Sequence, residues 1–387
     1  GRDLRTQMKT GFPVVAAADG FGCRSKIQHR GFGYALYLDH PGLNLRTVYG
    51  HLENFAEPMS SWAQRKLKKM GRRDGIDDEF GPETFPVKKG QIIAYSGETG
   101  LGPPHLHFEI RTLKDEPVSP TRARLRVPDS RPPDLLHLYI DPLTPSTLIN
   151  GEFSSAVLPL RHTVGNQYSW DGPLTVQGRV GFQLGLIDRA DGDNRMGVAS
   201  ICLSLDGKVL MARLFSQYNY DENRQCPYIY DFPRSQRADA GFVVAMYRFP
   251  WETMGLSAGF GAWAGVVESP EAAKHIVHFL VEDFGGNVVD LSGSMSIAPT
   301  AAPNHPLVES PSFERVEFFS HALVAQAKLE KPMPGIDGIR VRDSSGNEEV
   351  LPARVQGKTL SVAVPLQARW AGGASVQGKP FLPPSTF

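Results

Sequence analysis

The chain has few cysteines, no excess of either charge and no long apolar run, and each shortage removes a class of function. Cys23, Cys202 and Cys226 are the three cysteines of 387 residues, and none forms a Cys-x-x-Cys pair. A cysteine-based zinc site is thereby excluded. Cys202 and Cys226 share one stretch and are read either as a bridge or as two reduced thiols. Lys and Arg total 41, Asp and Glu total 41, and the formal net charge is zero. Nucleic-acid binding needs a basic face, so no such partner is expected. No stretch approaches the ~20 apolar residues of a membrane-spanning helix, and no signal peptide is present. The chain opens on Gly1 and ends in the loop-like Leu382-Pro383-Pro384-Ser385-Thr386-Phe387, as a fragment or processed form would.

Glycine (39) and proline (31) are plentiful, and strand-like runs outnumber helical ones. The expected fold class is mainly β. The length suggests about two or three domains at ~100–200 residues each. Pro/Ala/Asp-rich stretches near 128–134 and 299–306 divide the chain into 1–128, 129–298 and 299–387.

In the first segment, strands are expected over Pro13–Ala17, Gly33–His40 and Leu45–Leu52, with His40-Pro41-Gly42-Leu43-Asn44 as a turn. Ser60–Met70 is the best helix, with Ser60 or Ser61 as cap and Trp62, Leu67 and Met70 on one face. Its basic residues (Arg65, Lys66, Lys68, Lys69, then Arg72 and Arg73) read first as a solvated face, and otherwise as an attractor of anionic polymer. The most informative stretch follows a Gly/Pro-rich turn, Gly97 to Pro104. There His105, His107 and Glu109 alternate with Leu106, Phe108 and Ile110, a period of two that marks a half-buried strand. Side chains two apart share a face, so both imidazoles project the same way. Paired imidazoles suit zinc, or one ligand and one acid/base group. A surface strand with two solvated histidines is the plainer reading of His-x-His alone.

Four motifs occur in order: Gly11-x-Pro13-Val14…Ala18-Asp19-Gly20, Tyr49-Gly50-His51-Leu52, Val87-Lys88-Lys89-Gly90-Gln91, and Gly97-x-Thr99-Gly100…Pro104-His105-Leu106-His107-Phe108-Glu109. Together they resemble the lysostaphin-like, LytM-type zinc metalloendopeptidases of peptidoglycan, over essentially residues 1 to 118. The resemblance implies an antiparallel β peptidase domain, a Zn²⁺ cofactor and peptidoglycan peptides as partners. Asp3 and His107 match metal ligands. His51 and His105 match the histidines that work beside the water nucleophile, as acid/base or oxyanion partners. The first histidine ligand of the pattern falls four residues before Asp3, upstream of Gly1. Residues 1–128 then supply two of the three expected protein ligands, and weak zinc binding is expected of this set. A catalytic zinc needs three protein ligands and an open position, and lowers the pKa of water toward ~7. A neighbouring imidazole can then take or return a proton.

The other candidates carry less. Glu109 shares the histidine face and reads equally as an orienting group or as a structural residue of the sheet. His40 reads as structural, His29 as a loop residue. Gly100, Gly102, Pro103 and Pro104 shape the turn.

Residues 129–298 show short strands at regular spacing and resemble an immunoglobulin-like sandwich. Asp188 to Asn194 has a calcium-loop composition without the closing Glu, and reads as a polar hairpin loop. Residues 299–387 read as a second β-rich domain, possibly incomplete. The whole is expected to be a secreted, periplasmic or extracellular monomer. Two other readings stand beside the peptidase: a metal-deficient LytM-type binding or regulatory module, and a structural cell-surface protein.

Overall fold

The structure is a computed structural model that describes residues 2–119, 129–189, 195–257, 260–268, 272–298, 315–318, 322–329, 336, 338–342, 348–365, 375–376 and 379–380. It is mainly β, and nearly all its strand pairs are antiparallel. The chain divides into two compact units. One is Gly1–Pro128 together with Phe215–Asn223, and the other is Asp129–Leu214 with Arg224–Phe387. Residues 215–223 thus cluster with the first unit, although along the chain they lie inside the second segment.

The first unit is a ten-stranded sheet. Its strands are β1 (Arg2–Arg5), β2 (Pro13–Val15), β3 (Gly20–Ile27), β4 (Tyr34–His40), β5 (Leu45–Phe55), β6 (Ile76–Glu79), β7 (Pro86–Val87), β8 (Ile92–Ser96), β9 (His105–Thr112) and β10 (Pro117–Val118). The main path runs β1-β9-β5-β4-β3-β6, so β9 lies between β1 and β5. The core beneath gathers Ile27, Leu36, Leu38, Tyr49, Leu52, Phe55 and Ile93. Leu36 and Leu38 stand two apart on β4 and share its inward face, whereas Tyr49, Leu52 and Phe55 stand three apart on β5, whose register shifts on both sides of Leu52.

Helix α1 (Met59–Met70) forms where the sequence placed one, and Trp62, Leu67 and Met70 pack on that core. Its start differs from expectation. Pro58 is the N-cap residue and no side chain caps it, so Ser60 and Ser61 lie inside the helix. Trp62 contacts Phe80 and Phe85 edge to face, at 4.8 and 6.1 Å between centroids. That apolar contact anchors the helix without the cap. The helix ends at Gly71 in the left-handed conformation, with Lys68 and Lys69 in its last turn.

In the second unit an eleven-stranded array includes Asp134–Pro142, Val180–Ile187, Ser200–Leu205, Lys208–Leu214, Ala273–Glu282 and Val288–Ile297. Its core includes Leu138, Phe182, Leu184, Ile201, Leu203, Phe279 and Leu291, each fully buried. A separate five-stranded sheet comprises Arg315–Phe318, Ala322–Lys328, Gly338–Arg342, Glu348–Gln356 and Thr359–Pro365. The expected linker at 299–306 lies outside the described residues. All three cysteines are free thiols, so Cys202 and Cys226 form no bridge. Burial pushes the Cys23 thiol up to about 12. Among the described residues no helix is long and apolar enough to cross a membrane.

Candidate metal centre

The sheet order determines what can meet at the centre of the first unit. Strand β9 pairs with β1 in the register Asp3↔His107 and Arg5↔His105. It pairs with β5 in the register Gly50↔His107. His107 is therefore flanked by Asp3 on one strand and by Gly50, next to His51, on the other. A Cβ at position 50 would stand 3.3 Å from the Cβ of His107, so glycine leaves room for the imidazole.

His51 reaches the site through an irregularity. The pairing of β4 with β5 shifts register between Tyr34/Leu52 and Leu36/Tyr49, and His51 has φ = 58°. A histidine at positive φ costs roughly 1–3 kcal/mol, and the surroundings must hold it there. They do so at both ends. His51 N donates to Phe32 O at 2.8 Å, and the ring Nδ1 bonds Thr99 O at 2.8 Å. Thr99 is itself locked: its Oγ1 donates to Leu52 O at 2.7 Å and accepts from Tyr34 N at 2.9 Å. The bulge re-aims one side chain out of the strand's ordinary alternation.

The imidazoles then converge. His51 and His105 have ring centroids 4.5 Å apart, and His51 and His107 5.8 Å. One ligand atom from each of His51, His105 and His107 lies within 4.8 Å of the others. Asp3 Oδ1 is 2.7 Å from His107 Nδ1 and 3.7 Å from His105 Nε2. All four residues expected to form the site are together.

The hydrogen bonds of these rings test whether a cation fits. His51 Nδ1 faces the Thr99 carbonyl, His105 Nδ1 faces the Pro103 carbonyl at 2.6 Å, and His107 Nε2 faces Glu109 Oε1 at 2.8 Å. These oxygens accept only, so His51 and His105 carry their ring proton on Nδ1, whereas both nitrogens of His107 face carboxylates, Glu109 Oε1 and Asp3 Oδ1, and either can carry the proton. In a neutral imidazole the other nitrogen is then a lone pair. Nε2 of His51 and of His105 are thus lone pairs, and with His107 and the Asp3 carboxylate beside it the cluster offers nitrogen and oxygen donors. Such a set suits a divalent metal that takes nitrogen and oxygen ligands, zinc foremost.

Electrostatics separates the histidines. Burial holds His51 below its ordinary value, the Thr99 bond opposing and the neighbouring imidazoles adding to it. Burial also pushes His107 down, but its bonds to Glu109 and Asp3 outweigh this and raise it. Glu109 is brought down to about 2, because the His107 bond and the Arg111 guanidinium together outweigh the cost of its burial.

Several site residues escaped sequence reading. Phe32 stacks on His107 at 4.8 Å between centroids and meets His51 edge to face at 6.2 Å. It sits in a loop with no periodic signal. Thr99 lay inside a quoted motif, but its bonds to β4 and β5 span long sequence separations. His40 is structural as expected: it is buried, with Nδ1 on Asp19 O and Nε2 on Thr47 Oγ1. His29 is exposed. In the second unit Asp129, Asp188 and Asp283 bring carboxylate oxygens within 4.8 Å of one another. Asp188 begins the stretch read as a polar loop, of which residues 190–194 lie outside the described set.

The turn before β9 tolerates little. Gly100 has φ = 87°, and a Cβ there would lie 2.3 Å from Gly31 O. Gly100→Ala should destabilise the first unit by roughly 1–3 kcal/mol. It should also move Thr99 O away from His51. A thermal melt checks the first effect, and the His51 ring nitrogen shifts check the second.

No protein-family profile and no curated protein matches the chain. Among solved structures it is similar to a mutant of the catalytic domain of EnpA, a prophage-encoded M23 protein from Enterococcus faecalis. That likeness has 24% identity, a TM-score of 0.18, and covers 27% of this chain and 62% of the other, less than two thirds of its length. It is also similar to lysostaphin, an antimicrobial peptidase from Staphylococcus simulans, at 18% identity and a TM-score of 0.21, over 44% of this chain and 72% of that one. A solution structure of lysostaphin matches at 17% identity and a TM-score of 0.21, over 45% and 72%. At these scores the likeness decides nothing about chemistry, which rests on the residues themselves.

Proposed function

We propose that the chain is a zinc-dependent endopeptidase that hydrolyses peptide bonds in the stems or cross-links of peptidoglycan. The observation that carries this reading is the cluster of His51, His105, His107 and Asp3, with one nitrogen of every ring already committed to an acceptor oxygen. His107 and Asp3 would hold the metal. When bound, zinc supplies Lewis acidity that activates water and polarises the scissile carbonyl. His51, kept neutral by burial, is suited to take a proton from the attacking water. His105, less buried and oriented by the Pro103 carbonyl, is suited to stabilise the oxyanion or to return the proton to the leaving amine. The opposite pKa directions of His51 and His107 fit a division between base and ligand. Peptidoglycan as substrate draws on the ordered motifs of residues 11–109, and implies a periplasmic or extracellular, monomeric protein. The downstream β-rich regions are read as immunoglobulin-like modules.

A second reading, a metal-deficient binding or regulatory module of the envelope, draws on Asp3, whose side chain is 58% exposed on the terminal strand. The test is incubation of the full chain, supplied with Zn²⁺, with purified peptidoglycan. Release of soluble peptide-bearing fragments that a chelator abolishes is the expected result. Co-sedimentation with the polymer by folded protein that takes up no Zn²⁺ and cleaves nothing would favour the binding module.

A further inference from the structure

The first unit contains a chain of contacts behind His107 that the proposed reaction does not use. Glu109 and Arg111 are 5% and 4% exposed, on the same face of β9 as His107. Both Glu109 oxygens are engaged. Oε1 accepts from His107 Nε2 at 2.8 Å, and Oε2 accepts from Arg111 Nε at 2.6 Å. Arg111 is held in turn on every side. Its Nη1 donates to Asp115 Oδ2 at 3.0 Å and its Nη2 to Tyr220 Oη at 3.3 Å. Its guanidinium also lies 5.6 Å from the Tyr37 ring centroid and 5.1 Å from that of Tyr220.

Tyr220 comes from far along the chain. Residues 215–223 belong to the first unit, and they are fastened to it beside β9. Val118 bridges Gln217, Ser119 N donates to Ser216 O at 2.7 Å, and Gln217 Nε2 donates to Glu116 Oε2 at 2.7 Å. The Tyr218 ring packs edge to face on Tyr220 at 5.4 Å.

We propose that segment 215–223, through Tyr220, Arg111 and Glu109, is the positioning device that holds the His107 ring with its Nε2 edge on Glu109 and its Nδ1 edge toward Asp3. The physical reason is sequential constraint. A carboxylate with one free oxygen can rotate and release the imidazole, which then turns about its own side-chain torsions. Here Arg111 holds one oxygen of Glu109, and the two tyrosine rings with Asp115 hold Arg111. The orientation of the metal-facing nitrogen is thus determined by a residue more than a hundred positions downstream. Glu109, Arg111 and Tyr220 act through His107 and touch no substrate. The consequence for metal affinity rests on the zinc reading above, whereas the ring's orientation does not.

The experiment therefore has two readouts on the full chain. The first is the ¹⁵N shifts of the His107 ring in metal-free protein, compared among wild type, Glu109→Gln, Tyr220→Phe and Tyr220→Ala. Wild type is expected to show a single set of shifts, that of one ring orientation. Tyr220→Ala should add a second set, and Tyr220→Phe, which keeps the ring, should give a smaller change. Glu109→Gln keeps an acceptor but loses the ion pair, and should fall between. The second readout is the dissociation constant for Zn²⁺ in competition with a chromophoric chelator. It should weaken roughly 10–100-fold in Tyr220→Ala, the usual cost of losing a ligand's supporting partner. Unchanged His107 shifts in both Tyr220 variants, folded by circular dichroism, overturn the inference. Absence of zinc binding by wild type, with the shifts changing as described, overturns the metal reading and leaves the positioning role standing.

Discussion

Replacing His107 with alanine should remove both bound zinc and peptide hydrolysis, whereas His51→Ala should leave zinc bound and slow hydrolysis about 10²–10⁴-fold, the usual contribution of a positioned proton-transfer group. The two histidines are near neighbours, and proximity alone does not separate their roles, because His51, His105 and His107 can all reach one ion. Their surroundings do separate them. His107 lies against Asp3 and is held from behind by a carboxylate, the arrangement of a supported ligand. His51 is held by a neutral carbonyl in a strained backbone and is depressed by burial, the arrangement of a base. Zinc content by atomic absorption and the rate of fragment release from peptidoglycan check both halves. Equal loss of zinc in the two variants would instead make His51 a ligand, and the proton-transfer role would pass to His105.

In the second unit, Arg213→Ala should cost about 3–5 kcal/mol, the penalty for leaving a buried charge unpaired. Arg213 and Glu252 are both fully buried, and Nη1 and Nη2 reach the two carboxylate oxygens at 2.8 and 3.1 Å. The same guanidinium donates to Ala245 O at 2.6 Å, Tyr247 O at 2.9 Å and Ser257 Oγ at 2.8 Å. Arginine satisfies this group because its donors form a rigid planar fork. Removing it strands a carboxylate and two carbonyls together. Combining Arg213→Met with Glu252→Leu should recover only part of the loss: the charge is gone, but the carbonyls still lack donors. Guanidinium chloride unfolding of the single and the double variant measures this. A single variant as stable as wild type would mean that water enters the site.

Local pattern carried much of the first unit. Alternation from His105 to Ile110 identified β9 and the shared face of its histidines, because a strand's side-chain period is a property of its own backbone. The apolar face of α1 was legible for the same reason, with period 3.6. Its cap was not. Two serines looked suitable, yet the helix begins at Met59, after Pro58, and neither serine caps it.

The division of the site follows the same line. The sequence by itself determined the candidates: His51, His105 and His107 came from motif order, and Asp3 from its position in the resemblance. Only the tertiary structure decided how they are placed. The pairing of β1 with β9 set Asp3 against His107, a contact across more than a hundred residues that no local period encodes. The positive φ of His51 is held by its hydrogen bonds to the Phe32 and Thr99 carbonyls. Phe32 and Tyr220 gave no local sign of belonging to the site, because their roles exist only once distant segments lie side by side. Side-chain type and spacing are written along the chain, whereas tautomer, protonation and metal fit depend on neighbours that only folding supplies.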